Sequence, residues 1–150
     1  MNYKFNIVKC DIFTQLNKVD AVCVTTNGVV KRNGELVMGA GIAKQFATNF
    51  PQLPKLLGDK VSTHGNYVYH VGDYGCTAIL SFPTKHNYND NSCIELIKRS
   101  AIRLVKWANQ SGAKSILIPS PGTGLGGLDK SSVYNVLNNI LDERFTIVTK

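Results

Sequence analysis

Residues 115–132, SILIPSPGTGLGGLDKSS, constrain this chain more than any other stretch. Ile116, Leu117 and Ile118 make a short apolar run that predicts a buried strand, which empties through Pro119-Ser120-Pro121 into Gly122-Thr123-Gly124-Leu125-Gly126-Gly127. Downstream, Val133, Val136, Leu137, Ile140 and Leu141 recur at helical spacing, with Asp129 or Ser131 in place to cap that helix. A strand, a glycine loop and a helix start in this order suit a phosphate. Glycines leave backbone N–H groups uncovered and allow positive φ, and the helix dipole adds partial positive charge at its N-terminus.

Gly122, Gly124 and Gly127 satisfy G-x-G-x-x-G, a pattern that means little outside its context. A dinucleotide fold would need an acidic residue at the end of the next strand, and Phe145 to Val148 is followed by Thr149-Lys150. A Walker A loop would need lysine after Gly127, where Leu128 stands, and Lys130-Ser131 comes two residues late. A glycine-rich turn with no ligand remains open on these residues alone.

At 150 residues the chain reads as a single domain, 1–150, large enough to bury a core without staples. Cys10, Cys23, Cys76 and Cys93 contain no C-x-x-C pair, so zinc and thioredoxin-type readings have no support, and Cys23 falls in an apolar run that predicts core packing. With no signal-peptide pattern and no apolar run of membrane-spanning length, a cytoplasmic thiol protein with no membrane partner is expected. The net charge of +7 suits an anionic partner, a nucleotide, a nucleic acid or an acidic surface, without choosing among them. The basic residues are scattered, with Lys31-Arg32 and Lys98-Arg99 the adjacent pairs, as on a solvated basic surface.

Taken in order, Tyr3 to Val8 predicts an opening strand and Lys9 to Phe13 the turn out of it. Ala21 to Val24 is apolar throughout, as in a strand buried on both faces, and ends at Thr25-Thr26-Asn27-Gly28. A polar loop, Val29 to Val37, runs into a second glycine cluster, Met38-Gly39-Ala40-Gly41-Ile42-Ala43, which opens a helix from Ile42 to Phe50, before Pro51. The design of strand, polar turn, glycines and helix start therefore occurs twice, and two such loops could hold two phosphates side by side. Residues 51–66 read as loop with a short helical turn at Pro54 to Leu57. Tyr67 to Val71 and Thr77 to Phe82 read as a hairpin across Gly72-Asp73-Tyr74-Gly75. Ser92-x-x-Glu95 predicts a capping box for a long helix to Ser111, with Cys93, Leu96, Ile97, Ala101, Leu104, Val105 and Ala108 facing inward and Gly112 as terminator. Strands alternating with helices, plus one antiparallel pair, predict an α/β fold with a mixed sheet covered by helices on both faces.

The ordered set Asp11-Ile12-Phe13, Asp20-Ala21, Asn27, Gly39 to Ala43 and Pro119 to Gly127 resembles the macrodomain, an ADP-ribose-binding module, over essentially the whole chain. The resemblance implies a three-layer α/β/α sandwich on a mixed sheet of about six strands. Gly39 to Ala43, with Phe82-Pro83-Thr84-Lys85 and Gly126-Gly127-Leu128-Asp129, is most similar to the terminal ADP-ribose glycohydrolase and DarG-type branch. Branches of this kind include small stand-alone bacteriophage members, whose length this chain matches; the host cytoplasm would then be its compartment.

The resemblance also implies roles. Asp11 would accept a hydrogen bond from the adenine amino group, with the Ile12 N–H completing that contact; a carboxylate capping a turn after a strand is the alternative. Gly39, Ala40, Gly41, Ile42 and Ala43 would bind one phosphate, and Gly122, Thr123, Gly124, Leu125 and Gly126 the other, with Thr84 and Ser120 also in the binding set. Asn27 would orient the distal ribose or a water; a turn-forming Asn before Gly28 is the alternative. Lys85 would act on the anomeric carbon of the distal ribose, which an amine does only in its neutral form, favoured by desolvation or neighbouring positive charge. His86 stands beside it, although consecutive side chains in an extended segment diverge.

The sequence departs from the branch at Gly126, where the terminal glycohydrolase carries an acidic residue; Asp129, three residues on, is the candidate substitute if the loop folds back. The aromatic residue that many macrodomains carry in this loop is missing as well. No metal or cofactor is expected: His64 and His70 stand alone, and no cluster has ligand spacing. The implied function is hydrolysis of ADP-ribosyl adducts on nucleic acid, protein or a small molecule, by a monomer. The alternatives are a phosphatase on ADP-ribose 1''-phosphate and a non-catalytic reader of ADP-ribose.

Overall fold

The uninterrupted apolar runs form the middle of a sheet. The computed structural model describes residues 2–150, apart from the side chain of Leu125. Its elements are β1 (Asn6–Lys9), β2 (Ala21–Thr26), α1 (Gly41–Asn49), α2 (Leu53–His64), β3 (His70–Tyr74), β4 (Thr77–Pro83), α3 (Ile94–Ser111), β5 (Ile116–Pro119), α4 (Lys130–Asn138) and β6 (Phe145–Thr149). Short 3-10 turns cover Ile12–Gln15 and Gly124–Gly126. The six strands lie in the order β1-β6-β5-β2-β4-β3, all pairs parallel except β3 with β4. This is the mixed, helix-covered α/β sheet expected from the sequence.

β2 runs beside β4 in register from Ala21 opposite Ala78 to Thr26 opposite Pro83, and beside β5 at Ala21 and Val22. Because successive side chains alternate, Ala21 and Cys23 join Ile116, Ile118 and Ile147 beneath α3 and α4, while Val22 and Val24 join Leu117 and Val148 beneath α1 and α2. Two cores on opposite faces explain why these strands show no polar alternation. Burial pushes the Cys23 thiol far above its ordinary range, so it stays protonated and serves as a small apolar side chain. No helix among the described residues is long and apolar enough to cross a membrane.

Several boundaries differ from the sequence expectation, for physical reasons. β1 starts at Asn6, because the Tyr3 and Phe5 rings stack 4.9 Å apart and both pack edge-on against Tyr134. Residues 51–66 are largely helix, not loop. Pro54 occupies the first turn of α2, where it costs no hydrogen bond, and Leu53 and Leu57 are buried. Gly58, which reads as a breaker, is there for clearance: a Cβ would overlap the Gly34 carbonyl oxygen. Gly58→Ala should therefore destabilise the fold by about 1–3 kcal/mol, read as a fall of several degrees in Tm.

Tyr67 to Tyr69 precede β3 and do not belong to it. Ser81 Oγ accepts from Tyr69 N (2.9 Å) and donates to Tyr67 O (3.0 Å), so beside the one backbone bond from Ser81 N to Tyr69 O (3.0 Å) a side chain takes over from the ladder there. The capping box also fails. The N-cap of α3 is Cys93, without a side-chain hydrogen bond, and Ser92 lies one residue outside with its hydroxyl turned elsewhere.

Candidate functional site

β1, β6, β5, β2 and β4 are parallel, so their C-terminal ends open on one edge of the sheet, where α/β folds place ligands. A cleft of about 1400 Å³ runs along that edge. It is lined by Lys9 to Ile12 after β1, Lys150 at the end of the β6 segment, Ser120 to Gly126 after β5, Asn27 after β2, and Thr84 and Lys85 after β4. The first glycine cluster, Gly39 to Ala43, lines it from α1. The structure thus brings together Asp11, Ile12, Asn27, Gly39, Ala40, Gly41, Ile42, Ala43, Thr84, Lys85, Ser120, Gly122, Thr123, Gly124 and Gly126 in one cavity. The side chain of Leu125 lies outside the described residues.

The two glycine segments supply backbone donors by different means. Ala40, the N-cap of α1, offers no side-chain cap, so the amides of Gly41, Ile42 and Ala43 have no partner among the described residues. In the other loop, the amides of Gly122, Thr123 and Gly124 are likewise unpartnered, whereas Leu128 N donates to Gly122 O (2.9 Å) and closes the turn. The N-terminus of α4, by contrast, carries a side-chain cap. Asp129 Oδ2 accepts from Ser132 N and Ser132 Oγ, both at 3.0 Å. Of the two helices that begin at the cleft, α1 is the one without a side-chain cap. Asp129 also does not line the cleft, so it does not replace the carboxylate missing at position 126.

What stands at that position is a serine from another loop. A Cβ on Gly126 would overlap Ser92 Oγ, and Ser92 N donates to Gly126 O (2.8 Å). Ser92 therefore occupies the space of a side chain at 126. It is only 7% exposed, lines the cleft, and its Oγ has no hydrogen-bond partner among the described residues. A buried hydroxyl without a partner is costly, and the cleft is where a partner can arrive.

The other side chains divide their capacity. One oxygen of Asp11 caps the 3-10 turn by accepting from Phe13 N (3.0 Å), as the turn-capping alternative expects, and the other makes no hydrogen bond among the described residues. Asn27, 8% exposed, donates from Nδ2 to Val37 O (2.8 Å) and accepts at Oδ1 from Val29 N (2.8 Å), pinning the 28–37 loop. Each end of its amide retains one further hydrogen-bonding position. Ser120 Oγ contacts Thr123 Oγ1 (2.8 Å) and Tyr134 OH (2.9 Å), which ties the second glycine loop to α4. Lys85 is half-buried beside Thr84, and Asn66 Nδ2 donates to its carbonyl (3.0 Å).

Sequence reasoning missed Ser92, Tyr88 and the lysines Lys9, Lys130 and Lys150, all of which line the cleft. Lys9 closes β1, Lys150 follows β6 directly, and Lys130 opens α4, so a search for cations at strand and helix ends would have found them. Among the described residues, Asp11 is the sole carboxylate facing four lysines, a balance that favours an anionic ligand.

The model of the Macro domain family matches residues 29–137. The chain is similar to a protein of Mycobacterium bovis named DNA ADP-ribosyl glycohydrolase, 31% identical over 104 residues. That match takes in 65% of this chain, which spans only 29% of the relative's length. Among solved structures it resembles Thermosipho africanus DarTG in complex with ADP-ribose, with a TM-score of 0.79 and 25% identity over 97% of this chain and 42% of that one. It resembles the macrodomain of Thermus aquaticus DarG equally well, with a TM-score of 0.79 and 25% identity over 97% of each chain. With its sheet order, its two amide-lined loops and a family match over most of its length, the chain belongs to the Macro domain family.

Proposed function

We propose that this chain is an ADP-ribosyl glycohydrolase that releases ADP-ribose from modified DNA. The observation that carries the reading is the pair of unpartnered amide sets in one cleft, with Lys85 at the end of β4. Five strand ends at about 4.8 Å spacing give a trough of roughly 19 Å, room for a nucleoside diphosphate sugar laid across the sheet. Adenine would sit at Asp11 and Ile12 after β1, the diphosphate over the amides beside β5 and β2, and the distal ribose against Asn27, Thr84, Lys85 and Ser92. The similarity to DNA ADP-ribosyl glycohydrolases and to a DarTG bound to ADP-ribose supports both the ligand and the reaction.

Chemically, the neutral Lys85 amine would form a bond to the anomeric carbon as the bond to the base breaks, its electron pair leaving with the base, which takes up a proton. Water then adds at the same carbon, the carbon–Lys85 bond breaks, and ADP-ribose leaves with the amine restored. One water is consumed per adduct. The phosphate-binding amides hold the sugar in place and need not change during the reaction.

Calorimetry with ADP-ribose and AMP, together with release of ADP-ribose from an ADP-ribosylated oligonucleotide, tests the reading. ADP-ribose should bind more tightly than AMP, and the oligonucleotide should be turned over. The second reading, a non-catalytic reader, draws on the lack of a carboxylate at the Lys85 end, since Gly126 has no side chain and Asp129 caps α4. Tight binding without turnover would establish it, and phosphate release from ADP-ribose 1''-phosphate would point to the phosphatase instead.

Ser92 gives a sharper check on ligand placement. Removing an unpartnered buried hydroxyl relieves its desolvation cost, so Ser92→Ala should leave Tm unchanged or raise it. The same change should weaken ADP-ribose binding about five- to tenfold, the effect of one lost hydrogen bond, while AMP affinity stays within twofold.

A further inference from the structure

The basic residues that look scattered in the sequence converge on one helix face. Lys98, Arg99, Arg103 and Lys106 are all exposed on α3 and fall within one side of the helix, with a single carboxylate, Glu95, at its start. Among the described residues none of these four cations pairs with a carboxylate within 4.0 Å. Two of them share one aromatic partner. The guanidinium of Arg99 lies 4.6 Å from the centre of the Tyr67 ring and that of Arg103 lies 4.8 Å from the same centre. Backbone carbonyls hold them there: Arg99 Nη2 donates to Asn66 O (3.0 Å) and Arg103 Nε to Val68 O (3.2 Å). The remaining guanidinium N–H groups make no hydrogen bond among the described residues, so this cationic face keeps donors available to an anion from outside.

This face adjoins the Lys85 end of the cleft. Asn66 donates through Nδ2 to Lys85 O (3.0 Å) and accepts from Arg99 at its own carbonyl, so one residue touches both places. A groove of about 400 Å³, lined by His86, Glu95, Leu96, Lys98, Arg99 and Ile102, lies along the same side, with Glu95 its one carboxylate against two cations. We propose that this face of α3 is a track for the backbone of a single-stranded nucleic acid, holding phosphates that flank the adduct presented to Lys85. The inference rests on the glycohydrolase reading above. From Lys98 to Lys106 the helix rises about 12 Å, enough for several consecutive phosphates. Guanidiniums fixed in a plane suit bidentate phosphate contacts.

The test compares one ADP-ribosyl adduct on a single-stranded DNA oligonucleotide with the same adduct on a mononucleotide. In the Arg99→Gln/Arg103→Gln protein, KM for the oligonucleotide should rise at least tenfold with kcat unchanged, while kinetics on the mononucleotide stay within twofold. The slope of log KM against log salt should fall by about 1.4, the loss of two single-strand phosphate contacts. Lys98→Gln/Lys106→Gln, which leaves the Tyr67 packing intact, should shift KM and slope in the same direction. Unchanged KM and slope on the oligonucleotide in both variants would overturn the track while leaving the glycohydrolase standing. A wild-type protein that cleaves neither adduct would remove the glycohydrolase and the track together. Equal changes on both substrates would assign the arginines to folding and overturn the track.

Discussion

Replacing Lys85 with alanine is expected to abolish release of ADP-ribose from DNA adducts, with a fall in kcat of at least about hundredfold, while affinity for free ADP-ribose stays within a few-fold. The split follows from where the site makes its contacts. In the proposed placement the diphosphate would be held by amides of Gly41 to Ala43 and Gly122 to Gly124, and the adenine by the segment after β1, whose donors are backbone groups rather than the Lys85 amine. Lys85 belongs to the half-buried segment after β4, where its neighbour Thr84 is 5% exposed and anchored by donation from Thr84 N to Thr26 O (3.0 Å). That backbone bond survives the substitution, so the cleft keeps its shape and the variant separates chemistry from binding. Lys85→Arg refines the result: it retains charge but supplies no neutral amine, and should be as inactive as alanine. Turnover that persists in both variants would move the reaction to another group and remove the proposed nucleophile.

The middle of the fold was readable because burial on both faces erases polar alternation. Ala21 to Val24 and Ile116 to Ile118 could be little else than central parallel strands. The two glycine loops were readable because their composition is rare between a strand and a helix. What escaped detection depended on partners distant in sequence. Gly58 looks like a helix breaker until the Gly34 carbonyl is seen against it, and Ser92 looks like a capping residue until Gly126 is seen to make room for it. Asp129 was a candidate active-site carboxylate because three residues of loop could in principle fold back, but the unsatisfied amide of Ser132 is closer and claims it. Arg99 and Arg103 were merely two basic residues on a helix, since nothing local indicates that Tyr67, more than thirty positions earlier, lies beneath both.

The largest effect on binding should come from Gly41→Val, which is expected to weaken ADP-ribose affinity by at least about hundredfold. Gly41 opens α1 at φ +57°, a conformation that a β-branched residue adopts only under strain of about 1–3 kcal/mol. A valine there would push the backbone toward negative φ, and the amides of Gly41, Ile42 and Ala43 would no longer converge on one point. Each charge-assisted bond to a phosphate contributes about 1.5–3 kcal/mol, so misdirecting even one or two of them accounts for the predicted loss. Adenosine, which carries no phosphate, should bind the variant within a few-fold of the wild type, and calorimetry on both ligands makes the distinction. Phe46, fully buried five residues after Gly41, anchors α1 independently of its first turn, so Tm should fall by only a few degrees. If ADP-ribose bound the variant as tightly as the wild type, the first glycine loop would not be the phosphate site, and the amides of Gly122 to Gly124 would have to carry the diphosphate alone.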